Sequence, residues 1–328
     1  MHNPYRRTLI LHADDYGMNP AVTQGILRGF THGLLTSTSV LANAPDCGSA
    51  LRAWRDLLEL QRVAGLPSQD SRRRLEDSEL PFDLGLHLNL TQGRPLTADY
   101  PMELLDSKGR FPGVFRLFQQ LLRNPKRFRE GLRKELVEQV SRVRDFGILP
   151  SHANGHQYVE MFPVVAELMP PLLERFDISV TRVARERGAM SLRSLGDLAR
   201  EAMAAIKRRF ALKFEQLIDR AQIEHPDRYF GTSHAGRIDF KVLRHFVQSA
   251  GYGLTEIGCH PGLLSNYNHA SFHTQNDGWE DPLSRLRPLE LDLLTSPTLT
   301  DFLEAQQINL GRLRSLSLAH TEPAVLVA

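Results

Sequence analysis

The segment His12-Ala13-Asp14-Asp15-Tyr16-Gly17 sets two adjacent carboxylates directly after Thr8-Leu9-Ile10-Leu11. A short, apolar, β-prone run of that kind reads as a buried strand, so the acids stand where a strand gives way to a loop. In α/β folds the carboxyl ends of strands are where ligands and chemistry gather. Neighbouring carboxylates at such a place repel one another and cost desolvation, which a metal ion or a proton-transfer role offsets. A lone Asp there reads more simply as a helix cap or turn residue. The pair after an apolar strand favours chemistry, because perturbed acids cluster at functional sites.

Histidines recur at comparable positions. His87 lies in Gly85-Leu86-His87-Leu88-Asn89-Leu90-Thr91, His156 in Ser151-His152-Ala153-Asn154-Gly155-His156, and His260 in Thr255-Glu256-Ile257-Gly258-Cys259-His260-Pro261-Gly262. If the strands that carry them are parallel, they share one mouth with Asp14 and Asp15. One Asp and two His suit a divalent cation that keeps positions open for water and substrate. A second carboxylate beside the cation takes a proton from the attacking water, and a further His protonates the leaving group. Those parts together point to metal-assisted hydrolysis of an amide or ester. Taken singly, His87 reads as a satisfied core histidine, His152 and His156 as turn residues, and His269 and His273 as surface residues of a late loop. The residues alone therefore reach a metal-dependent hydrolase or lyase.

These side chains need a framework that delivers them to one edge. Strand-like runs at 9–13, 37–42, 83–90, 150–153, 178–182 and 254–260 alternate with helix-like runs at 22–32, 48–60, 127–146, 163–175, 192–222 and 239–250. That alternation predicts βα units around a mainly parallel sheet or barrel. A polar insertion covers about 61–80, and long loops span 91–112 and 261–281. The first of these loops carries Gly93, Pro95, Pro101 and Gly109 and is expected to cover the site as a lid that orders on substrate binding.

Composition narrows the class. Of 328 residues, 41% are hydrophobic and 24% charged, as in an ordinary globular chain, and the net charge of +2 gives no reason to expect nucleic acid or an anionic membrane as partner. No apolar run approaches the roughly 20 residues of a membrane span. The first strand begins almost at the N-terminus, which leaves no room for a signal peptide. The two cysteines, Cys47 and Cys259, make no disulfide framework, so a reducing cytoplasm is the expected location.

Four blocks, in order, resemble the YdjC-like carbohydrate deacetylases, the group that includes chitooligosaccharide deacetylase and the hopanoid-associated deacetylases. They are Ala13-Asp14-Asp15-Tyr16-Gly17 with Gly33-Leu34-Leu35-Thr36-Ser37-Thr38-Ser39, and then the blocks around His87, His156 and His260 quoted above. A weaker fifth block, 290–310, looks like the family's last helices and strand. The resemblance implies an α/β fold, a distorted (β/α) TIM-like barrel in one domain over 1–328, with its core at about 7–312. It implies removal of an N-acetyl group from an amino sugar or an N-acetylglucosamine-containing glycoconjugate by a metal-activated water. Carried over by position, Asp15, His87 and His156 hold a divalent cation (Mg2+ or Zn2+), Asp14 is the general base, and His260 is the candidate general acid. The family's third block usually has an Asp where this chain has Asn154, and it often continues with histidines where this chain has Gln157-Tyr158-Val159-Glu160. The expected partner is an N-acetylated sugar, with a homodimer left open. The alternatives are another metal-dependent barrel enzyme, an isomerase or aldolase, and a non-catalytic carbohydrate-binding homologue. No substrate-binding residue is legible.

Overall fold

The computed structural model describes residues 6–64, 82–186, 198–264 and 277–318. Most of the polar insertion at 61–80, the start of the helix expected at 192–222, and much of the late loop with His269 and His273 lie outside the described residues. Seven parallel strands form the sheet: β1 (Arg7–Tyr16), β2 (Ser37–Val40), β3 (Asp83–Leu88), β4 (Ala153–Gly155), β5 (Arg228–Phe230), β6 (Gly253–Cys259) and β7 (Asn309–Leu310). Their order is β4-β3-β2-β1-β6-β5, with β7 pairing to the start of β1. Between and after them come α1 (Pro20–Thr31), α2 (Cys47–Ala64), α3 (Val114–Arg123), α4 (Arg129–Asp145), α5 (Pro163–Ala166), α6 (Met169–Arg175), α7 (Leu198–Arg220), α8 (Phe240–Ser249), α9 (Arg287–Leu294), α10 (Pro297–Ala305) and α11 (Arg314–Leu318).

The sheet curls into a distorted barrel. The expected strand at 178–182 does not form as a ladder. Isolated bridges instead join Thr181 to Ala153 of β4 and Glu186 to Tyr229 of β5, so residues 180–186 span the gap between the two edges. Further differences are local. The expected strand at 150–153 begins at Ala153, and the helix expected at 163–175 divides into α5 and α6. The α3 helix follows the 91–112 loop at a place where the sequence reading had none. Caps set other boundaries: the Asn19 side chain accepts from the Val22 N–H at 3.0 Å before Pro20 opens α1, and Asp239 caps α8 in the same way.

Alternation along β1 sorts its side chains onto two faces. Leu9, Leu11 and Ala13 join the main core with the helices. Ile10 turns inward to a small apolar cluster with Val180, Leu254, Leu313 and Leu316, which plugs one end of the barrel. Above that plug the interior becomes polar. His12 lies 3.7 Å from Glu256, and Asp14 lies 3.8 Å from His260. Thus one face of β1 and one face of β6 run from apolar to ionic within a few residues, because Ile10 pairs with Glu256 and His12 with Gly258 in the parallel register.

Candidate active site

Asp14 and Asp15 stand where β1 is irregular. Ala13 faces Thr38 of β2, but Tyr16 faces Val40, so β1 carries one extra residue over that interval. Asp15 adopts φ 71°, a left-handed conformation that costs a non-glycine residue on the order of 1 kcal/mol or more. Neighbours in a regular strand point to opposite faces. Here the bulge lets both carboxylates enter one buried mouth, 4% and 2% exposed. His87 lies near the end of β3, His156 directly after β4 and His260 directly after β6. All five residues singled out in the sequence therefore reach the same end of the barrel, as parallel strands require.

The two acids have different partners. The Asp15 Oδ1 lies 3.1 Å from His156 Nδ1 and 3.5 Å from His87 Nε2, while its Oδ2 accepts from Arg287 Nη2 at 2.7 Å. Asp15, His87 and His156 can each turn one ligand atom to a common point, those atoms lying within 4.8 Å of one another. Asp14 instead accepts from Arg182 Nη1 at 2.8 Å and Nη2 at 2.9 Å. Arg182 also donates through Nε and Nη2 to Glu256 Oε1, at 2.8 and 2.6 Å. The Tyr229 ring packs 4.9 Å beneath the guanidinium. Arg182 and Arg287 are fully buried. Buried charges of this kind are poor stabilisers relative to apolar packing, so their concentration at one mouth points to chemistry.

Electrostatics separate the roles further. Burial opposes charge on Asp14, yet Arg182, His87 and His12 together hold its carboxyl well below the usual carboxylate range. Burial is likewise outweighed at Asp15, by Arg287, His156 and His87. Both acids are therefore anionic at neutral pH. Burial pushes His156 down, toward the neutral form that a cation requires. At His87 the carboxylates of Asp14 and Asp15 outweigh burial and push the ring up, so this spot attracts positive charge. Among the described residues, one carboxylate and two imidazoles form the one group with metal-ligand geometry, and the buried His156 Nε2 has no hydrogen-bond partner of its own. The donor set fits a divalent cation.

The residues around this cluster were not singled out from the sequence. Arg182 closes the predicted 178–182 segment, but nothing local marks it as a partner of Asp14, from which it is 168 residues distant. Arg287 begins α9 and reaches back 272 residues to Asp15. The Arg287 Nε also donates to both oxygens of Asp281, at 3.0 and 2.9 Å. Glu290 accepts the His260 backbone N–H at 2.6 Å and the Ile238 N–H at 3.1 Å, which fixes the start of the His260 loop. His152 is wholly buried inside the barrel, its ring edge-on to His12 at 5.0 Å, and Gly85 leaves room for it. It is thus a core histidine, and burial holds it well below the usual imidazole range.

The 91–112 loop is fastened to the described end of the late loop. Arg94 pairs with Asp277, Gln92 accepts the Glu280 N–H at 3.2 Å, and the Trp279 indole lies against Gly93. At its base, Glu135 accepts the Leu96 and Thr97 N–H groups at 2.9 Å each.

Comparison with known proteins follows the same lines. A family described as YdjC-like protein matches residues 8–305. A carbohydrate deacetylase of Mus musculus is 30% identical over 316 residues, covering 93% of each chain. One of Homo sapiens is 29% identical over 325 residues, covering 95% of this chain and 91% of its own. Among solved structures, a provisionally named cellobiose-phosphate cleavage protein from Enterococcus faecalis V583 superimposes with a TM-score of 0.65 at 20% identity. It covers 95% of this chain and 99% of its own, which supports the barrel fold. No helix among the described residues is long and apolar enough to cross a membrane.

Proposed function

Since this chain belongs to the YdjC-like protein family, we propose that it is a metal-dependent carbohydrate deacetylase, removing an N-acetyl group from an amino sugar or a glycoconjugate that carries one. The relatives in mouse and human bear the name carbohydrate deacetylase. The observation that carries the reading is the convergence of Asp15, His87 and His156 on one point beside the Asp14 carboxylate. A divalent cation held by those three would supply Lewis acidity for an amide carbonyl and bring the pKa of a water close to neutrality.

The chain's own residues do the rest. Asp14 is the base: it is anionic, buried, and oriented by two Arg182 N–H groups, so its carboxylate faces the mouth in one fixed pose. Arg287 holds one Asp15 oxygen while the other faces His156 and His87, which suits a ligand beside those two rings. His260 stands across Asp14, its Nε2 3.8 Å from Oδ2, and is the group that protonates the departing amine. The buried walls keep bulk water from competing.

Acetate release tests this reading. N-acetylglucosamine, chitobiose, longer chitooligosaccharides and a lipid-linked glycoside would be supplied with EDTA, and then with Zn2+ or Mg2+ restored. Release that stops with EDTA and returns with the cation is the expected result. Cation binding without acetate from any of these substrates would instead favour a non-hydrolytic barrel enzyme.

A further inference from the structure

The amide of Asn154 faces two ways. One of its polar atoms lies 2.7 Å from His87 Nδ1, and also beside Ser39 Oγ and the Leu86 carbonyl. The other lies 3.0 and 3.1 Å from the Arg182 Nη atoms, and 3.3 Å from Asp14 Oδ1. Which atom is the oxygen follows from the network. With the oxygen toward Arg182, it accepts from both Nη groups, and the two NH2 hydrogens are shared among His87 Nδ1 at 2.7 Å, Ser39 Oγ at 2.9 Å and the Leu86 carbonyl at 3.1 Å. With the amide reversed, the oxygen confronts the Leu86 carbonyl and the NH2 confronts Arg182. The reversed amide keeps the 2.7 Å contact with His87 Nδ1, its oxygen now the acceptor, and gains only 3.3 Å contacts from its NH2 to Asp14 Oδ1 and His12 Nε2. The first orientation satisfies more groups.

That orientation has a consequence for His87. An NH2 that donates to Nδ1 requires Nδ1 to be the bare nitrogen, which puts the proton on Nε2. The Nε2 is the atom that faces Asp15, and a cation can bind there only when the proton is elsewhere. A metal-ligating imidazole carries its proton on the other nitrogen and donates it to an acceptor.

We propose that Asn154 is a positioning residue that works against cation binding, because its amide, held by Arg182 and Leu86, selects the His87 tautomer whose Nε2 is blocked. Binding of a cation at His87 must reverse the amide, so that its oxygen accepts from Nδ1–H and its NH2 turns to Asp14. The lost Arg182 and Leu86 bonds subtract from the affinity. A carboxylate at this position accepts on both sides, from Arg182 and from His87 Nδ1–H, so it keeps its Arg182 bonds when a cation binds. This proposal rests on the assignment of Asp15, His87 and His156 as ligands.

The test uses Zn2+ alone, titrated calorimetrically into the full chain freed of metal, with the His87 tautomer read by long-range 1H–15N NMR. In the metal-free protein we expect the proton on Nε2, moving to Nδ1 when Zn2+ binds. Asn154→Asp should bind Zn2+ at least tenfold more tightly. Asn154→Ala, with Ser39 Oγ 3.3 Å from Nδ1 as the remaining acceptor, should bind at least as tightly as the native chain. A residue that merely braced His87 would predict weaker binding on truncation, and on the order of tenfold weaker for a group behind a ligand. Tenfold weaker binding by Asn154→Ala, or an Nδ1–H proton in the metal-free native chain, overturns the proposal. Absence of Zn2+ binding from all three proteins overturns the ligand assignment itself, whereas binding by Asn154→Asp and Asn154→Ala but not by the native chain supports the proposal in its strongest form.

Discussion

The Arg182 guanidinium meets the Asp14 carboxylate end-on, through Nη1 and Nη2 bonds of 2.8 and 2.9 Å, with Glu256 on β6 accepting from Nε and Nη2 of the same guanidinium. Two buried carboxylates thus depend on one cation. Arg182→Met leaves both without it, and unfolding in urea should show a loss of about 3–5 kcal/mol. Arg182→Lys keeps the charge but replaces a planar fork with a point donor. It should fold with a smaller loss, and its turnover should fall on the order of 100-fold, as expected when a reacting group loses its pose. Full turnover by the Lys variant would mean that the bidentate grip does not matter.

Asp14 and Asp15 are neighbours in sequence with opposite surroundings, which separates their variants. Asp14→Asn preserves shape and removes the base, so turnover should drop about 10²–10⁴-fold with cation affinity kept. His156→Ala should instead weaken cation binding, measured by calorimetry, and lose activity in proportion. Equal loss of cation binding in both variants would show that Asp14 is a ligand.

How far the sequence anticipates this site depends on where each signal resides. The β1, β3 and β6 strands are apolar and long enough to read directly, and they carry Asp14, Asp15, His87 and the approach to His260. The β4 strand is Ala153–Gly155, short and polar, and it forms by pairing with β3 and bridging to Thr181, so its own residues do not mark where it starts. The 178–182 run has strand composition, but Val180 bridges Glu224 and Thr181 bridges Ala153 of β4, two isolated contacts that never become a ladder. Arg182, Arg287 and Glu256 were missed because their meaning lies in partners far along the chain. The quoted block around His260 contained Glu256 without disclosing that it faces inward beside His12. Asn154 was visible as a departure, and only its two-sided contacts give the departure a consequence.

The 91–112 loop depends on one glycine. Gly93 has φ 74°, and a Cβ there would sit 2.2 Å from Trp279 Nε1. Its carbonyl also accepts the Phe111 N–H at 2.8 Å, which closes the neck of the loop. Gly93→Ala meets both the left-handed penalty of about 1–2 kcal/mol and the indole. Limited proteolysis should then cut within 91–112 several-fold faster than in the native chain. Unchanged cleavage would mean that the Trp279 contact does not fasten the loop, and a substrate-dependent lid would have to be sought in other contacts.

Glu160 provides the last test, through pH. It is fully buried, and its carboxylate has no hydrogen-bond partner beyond its own backbone N–H. Burial drives its carboxyl from an ordinary value of 4.5 up to about 8, against the opposing pull of Arg182 and His87. The folded chain therefore keeps this proton between those two values while the unfolded chain releases it. More protons bound in the folded state mean that stability falls as pH rises through the interval. The contribution is fully present below 4.5 and gone above about 8, with a slope of up to about 1.4 kcal/mol per pH unit. Glu160→Gln removes the titration. Urea unfolding at pH 5, 6, 7 and 8 should show the native chain losing stability relative to the variant at each step. A difference between the two that stays constant across that range would mean that Glu160 is ionised in the fold, with a counter-charge close enough to hold it so.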